Sequence, residues 1–108
     1  MEAKRLKLHD ILCEIMNMTE PDGDRHVYFR PPPSVHMKYP AIKYDWHRID
    51  NSHANNAVYM QSHSFEVTVI DYDPDSIYAD KLSKLLRCVF DRAYISDKLN
   101  HFVFTITI

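Results

Sequence analysis

Glycine occurs only once in the 108 residues. That scarcity excludes a glycine-rich loop cradling phosphate through its backbone amides, and it implies that few turns need positive φ. Cysteine occurs twice, as Cys13 and Cys88, each within an apolar periodic segment. Thiols in such a setting read as buried, free and reduced, as in a cytoplasmic compartment, and not as a disulfide framework. No apolar run approaches the roughly 18 residues that a membrane-spanning helix needs. The start, Met1-Glu2-Ala3-Lys4-Arg5, leads into an amphipathic pattern and not into the apolar stretch of a signal peptide. Excess positive charge is missing as well. Thirteen Lys and Arg against 15 Asp and Glu leave a net charge of −2, so no basic field marks a nucleic-acid binder.

What is present is apolar and aromatic. Hydrophobic residues make up 45% and aromatics 12%, enough for a core of ordinary size and too much for a disordered chain. The length suits a single domain over residues 1–108. Four of the six prolines fall between Tyr28 and Ile42, as Pro31, Pro32, Pro33 and Pro40. Each fixes φ near −65° and removes a donor, so neither a helix nor a central strand runs through the segment. Three in a row favour extended polyproline II, and the residues before prolines, Arg30 and Tyr39, are pushed to extended conformations. A ligand for a proline-binding partner would lie in Ser- or Gly-rich surroundings. Aromatics enclose this segment instead, so it reads as a stiff crossover between two strands, stapled at both ends.

Upstream, Leu8, Ile11, Leu12, Ile15 and Met18 recur at helical spacing, giving a helix from near Ala3 to near Asn17. Thr19 to Asp24 is a turn, and His26 to Arg30 a short first strand. Beyond the crossover, Ala41 to His47 alternates, with Ile42, Tyr44 and Trp46 on one face. Arg48 to Ala57 is rich in Asn and reads as a polar, mobile loop joining two antiparallel strands. In the second, Val58 to Tyr72, Phe65, Val67 and Val69 oppose Glu66, Thr68 and Ile70. Asp73-Pro74-Asp75-Ser76 is a turn in which Asp75 or Ser76 caps a second helix, with Asp80 in its first turn. Leu82, Leu85, Leu86 and Val89 carry that helix to about Arg87. Asp91 to Asn100 is a short strand or an irregular link, and Phe102 to Ile108 alternates as a last strand. The expected fold is α+β in the order α-β-β-β-α-(β)-β. It is a mainly antiparallel, mixed sheet of 4–5 strands with both helices on one face.

Reactive constellations are sparse. The seven histidines, His9, His26, His36, His47, His53, His63 and His101, scatter over the elements without metal-ligand spacing. Asp71, Asp73 and Asp75 lack the glycine and closing Glu of a calcium loop and read as turn and cap residues. The expectation is no enzyme, no metal and no cofactor.

Several segments resemble, in the same order, the tail terminator (tail completion) proteins of long-tailed bacteriophages. They are Val27-Tyr28-Phe29-Arg30-Pro31-Pro32-Pro33-Ser34-Val35-His36-Met37-Lys38-Tyr39-Pro40-Ala41-Ile42, Val67-Thr68-Val69-Ile70-Asp71-Tyr72-Asp73-Pro74-Asp75-Ser76, Phe90-Asp91-Arg92-Ala93-Tyr94 and Leu99-Asn100-His101-Phe102-Val103-Phe104. The resemblance covers most of the chain from Leu8 on. Pro-Pro-Pro-Ser-Val with Tyr-Pro-Ala-Ile is its specific part. It implies a small α/β protomer in a ring, usually of six, on the head-proximal end of the tail tube in the virion, after assembly in the host cytoplasm. There it would stop tube growth and meet the filled head. The implied partners are further copies of itself, the tail tube protein and a head-completion or connector protein. DNA would pass through the lumen without specific binding, and no membrane is involved. A ring subunit must offer edges to its neighbours, and an exposed last strand and stiff proline loops would serve. The candidate assembly residues are Arg30, Pro31, Pro32, Pro33, Arg48, Asn51, His53, Asn55 and Asn56. The resemblance carries no function onto the polar loop that holds the last five. Two other functions fit a chain of this kind: a head-closure (adaptor) protein of the virion neck, or a small-molecule binding module, for which an apolar pocket with convergent polar groups is needed.

Overall fold

The computed structural model describes residues 2–18, 23–54, 57–85 and 87–108, with the side chains at 2, 23, 24, 52–54 and 57–60 excepted. The chain is α+β, two α-helices and a five-stranded mixed sheet. Helix α1 spans Glu2–Asn17, a 3₁₀ turn Gly23–His26, strand β1 Val27–Phe29, β2 Ala41–Ala54 and β3 Ala57–Asp71. Helix α2 spans Ile77–Ser83, β4 Cys88–Ser96 and β5 Leu99–Thr107. The strand order is β1-β2-β3-β5-β4. β1 runs parallel to β2 and every other pair is antiparallel.

One apolar layer lies between the sheet and both helices. Leu8, Leu12, Ile15 and Met16 of α1 and Tyr78, Ala79 and Leu82 of α2 share it with Ile42, Tyr44, Phe65, Val67, Val69, Phe104 and Ile106. The alternation expected on β2, β3 and β5 is therefore present. On α1 the buried stripe turns to Met16, while Met18 lies exposed beyond the helix end.

The proline segment is stapled as expected. Arg30 N donates to Tyr44 O at 3.0 Å, Lys38 N to the Tyr28 hydroxyl at 2.9 Å, and His26 Nδ1 lies 2.7 Å from Pro40 O. Two local expectations fail. The proline run ends in a turn closed by Val35 N to Pro32 O at 3.0 Å, and so is not extended throughout. Arg30 takes φ 46° instead of an extended conformation, because the chain leaves the sheet there immediately after its last bond to β2.

The scarcity of glycine misleads about turns. Arg30, Arg87, Asp97 and Lys98 all take positive φ, and Gly23 does not. Asp97 and Lys98, at φ 52° and 65°, form the two-residue link between β4 and β5. That position asks for positive φ at both residues and usually carries glycine.

Four further corrections concern elements. The expected mobile loop Arg48 to Ala57 is largely strand: β2 continues to Ala54 and β3 begins at Ala57, with Arg48 opposite Ser64, Asn51 opposite Gln61 and His53 opposite Val58. Ladder bonds hold this stretch, so loop composition alone was a poor guide. Helix α2 ends at Ser83 and not near Arg87, since Leu85 N and Cys88 N make tighter bonds to the carbonyls three residues back. Val89, expected in the helix stripe, belongs instead to β4, and of the two readings open for Asp91 to Asn100 the strand holds as far as Ser96, with a register shift between Phe90 and Arg92. The last strand is not an exposed edge, for β5 lies between β3 and β4. The thiols are half-buried rather than fully buried, and no disulfide joins Cys13 and Cys88.

Candidate assembly surfaces

Because β1 covers β2 only at Ile42–Tyr44, and β5 with Ile108 after it covers β3 only from His63 on, the rest of the β2–β3 hairpin projects as a two-stranded arm. It helps to draw the molecule out to 51 × 27 × 24 Å. Both faces of an isolated ribbon meet water, so its residues need not alternate in polarity. That is why Arg48, Asp50 and Asn51 can occupy a strand. All three are exposed, with Arg48 Nε 2.9 Å from Asp50 Oδ2 and Gln61 Nε2 donating to Asn51 Oδ1 at 3.0 Å.

The arm is rooted in aromatic packing. Trp46 stacks on Phe65 at 4.6 Å between ring centres and meets Phe29 edge-on at 6.2 Å. His63 lies beside it, shut off from solvent in a thin part of the molecule. Its Nε2 is 2.7 Å from Gln61 Oε1, and its Nδ1 has no hydrogen-bond partner among the described residues. Loss of solvation lowers its pKa, helped by the positive charge of Lys4, whose Nζ donates to Gln61 O at 2.9 Å. Closer to the body, burial raises the pKa of Tyr44, although Arg5 opposes the shift. The Tyr44 hydroxyl lies 2.6 Å from His9 Nδ1, which satisfies a polar group inside the core.

Arg30 and Pro31 stand at the root of the arm, in an open cleft of about 240 Å³ shared with Lys43, Asp45, Glu66 and Thr68. Arg30 Nε is 3.1 Å from Asp45 Oδ1. Pro32 and Pro33 are exposed in the turn beyond. Thus Arg30, Pro31, Pro32, Pro33, Arg48 and Asn51 all lie toward the β1–β2 side of the sheet, Arg48 and Asn51 farther out on the arm. The side chain of His53, and Asn55 and Asn56 entirely, lie outside the described residues.

The surface that composition did not reveal is β4. It forms the opposite edge of the sheet, and Val89, Phe90, Tyr94 and Ile95 are exposed on it, Ile95 to 74%. Phe90 leans edge-on against Phe104 at 5.4 Å on the helix side, and Tyr94 stacks on His101 at 4.8 Å on the other. The signal for it was three large apolar residues, Phe90, Tyr94 and Ile95, that no buried stripe required; Val89 continues the stripe expected of the second helix. No family model matches the chain, and no curated protein matches it.

The acidic cluster serves its turn. Asp73 N donates to Asp71 Oδ1 at 3.2 Å, Asp75 N to Asp73 Oδ1 at 2.9 Å, and Ser76 Oγ caps α2 by accepting from Ala79 N at 3.4 Å. Among the described residues no group of three His, Cys, Asp or Glu is placed to hold a metal ion, and no helix is long and apolar enough to cross a membrane.

Proposed function

We propose that the chain is a structural subunit of a long-tailed bacteriophage, a tail terminator. Rings of it, six copies on the resemblance, would cap the head-proximal end of the tail tube, stop its growth and present the surface that joins the filled head. The observation that carries this is the ordered likeness of the proline crossover, the Val67–Ser76 segment and the last two strands to that family. The fold adds support of a general kind: a ring subunit needs two unlike surfaces, and this sheet has two unlike open edges. No catalytic residue or cofactor is assigned. DNA would traverse the ring without a salt-dependent grip from clustered Lys and Arg, which suits a net charge of −2.

Electron microscopy of the purified protein mixed separately with purified tails and with filled heads tests this. Rings on one end of the tails support the terminator. Rings found only on heads indicate the head-closure protein instead, and binding to neither refutes both.

A further inference from the structure

Resting on the ring reading, we infer that neighbouring copies join by strand addition: the arm of one copy, through the outer edge of β2, pairs with β4 of the next.

The motive is a matched pair of open edges. β1 pairs with β2 only at Ile42–Tyr44, so from Asp45 to Ala54 the outer side of β2 has no strand partner among the described residues. At the far end of the sheet β4, Cys88–Ser96, has no strand on its outer side among the described residues. The two edges have almost the same length. An uncovered row of amides and carbonyls is a template for another strand, and native proteins usually blunt such edges with charge, proline or brevity. β4 carries one irregularity, a register shift between Phe90 and Arg92, and is otherwise blunted little. It is nine residues long and has no proline, and Asp91 and Arg92 neutralise each other at 2.7 Å. Its Val89 and Ile95 are exposed and without cover among the described residues.

The occupant is a second copy's arm and not a second β4. Pairing β4 with β4 would be isologous, would stop at two copies and would leave every arm edge open. Pairing arm with β4 satisfies both edges in each copy and is heterologous, the contact type that closes rings. The charges also suit it. Arg48 and Asp50 on the arm, like Asp91 and Arg92 on β4, form exposed pairs that can exchange partners across the new ladder at little cost. Ile49, partly exposed on the arm, supplies apolar surface opposite β4.

Two variants, each lacking one edge, test the contact. The first replaces residues 50–62 by Asn-Gly and keeps β4. Should it fail to fold, full-length Ile49→Lys with Asn51→Lys takes its place. The second is Val89→Lys with Ile95→Lys and keeps the arm. Circular dichroism confirms folding, and sedimentation gives mass. Each variant alone should remain monomeric, at 12.8 kDa for a full-length chain and at correspondingly less for the shortened one. Mixed, they should form one species whose mass is the sum of the two monomers and nothing larger, because one arm and one β4 remain. A dimer of the first variant alone would establish β4–β4 pairing and overturn the proposal. So would wild-type-like rings from either variant, or a mixture that stays monomeric while the wild type forms rings; these outcomes leave the ring itself standing. A wild type that forms no larger species, free or on tails, overturns the ring and the contact together.

Discussion

Shortening the arm should cost the fold little and the assembly much. Replacing residues 50–62 by Asn-Gly joins Ile49 to His63, which already face each other, through the two-residue turn that hairpins favour. Among the described side chains of the excised stretch, those at 50, 51, 61 and 62, none belongs to the apolar core. The described contacts that disappear are the bond of Gln61 to His63, the exposed bonds of Gln61 to Asn51 and to Lys4, and the exposed Arg48–Asp50 pair. A part-buried bond is worth roughly 1 kcal/mol and an exposed ion pair at most about that. His63, freed from its cover, gains water in exchange. Against these losses, a two-stranded ribbon is marginal by itself, and its residues no longer have to be ordered. The net cost should be about 1–2 kcal/mol, a fall in melting temperature of roughly 5–15 °C for a domain of this size. Urea unfolding followed by Trp46 fluorescence measures it. A loss above about 4 kcal/mol, or unfolding that is no longer cooperative, would show that the arm is part of the fold and not an appendage to it.

Three other outcomes follow from single sites. Lys98→Gly should stabilise the protein by about 1 kcal/mol, because φ 65° strains a residue with a side chain and not glycine; an unchanged or lower denaturation midpoint contradicts this. The unfolded chain protonates His63 at the usual 6.5 while the folded chain does so only at lower pH, so stability should fall as pH drops through 6.5. In His63→Gln that part of the fall should vanish, and an identical pH profile would show that another group is responsible. Burial raises the Cys88 thiol pKa, so labelling near pH 8 should be slower in the folded protein than after unfolding; equal rates would refute it.

The parts of the fold that bury one face were legible in the sequence. Leu8, Leu12 and Ile15 declare α1 by spacing, and Ile42, Tyr44, Phe65, Val67, Val69, Phe104 and Ile106 declare three strands by alternation. The proline crossover was legible for the opposite reason, since its residues allow so few conformations. What escaped was structure without a buried side. Arg48 to Ala54 and Cys88 to Ser96 are strands held by backbone pairing, and their side chains carry no period to detect. The end of α2 was missed because Leu85 still packs against the core while its backbone has left the helix. The candidate surface was therefore only half legible: proline and arm residues could be named, but the apolar edge opposite them could not.

Length control tests the central claim most directly. Purified protein is added to tails assembled in its absence, and tail lengths and head attachment are counted by electron microscopy. A terminator yields tails of uniform length that join filled heads. Tails that grow past that length with folded protein in excess would contradict the account.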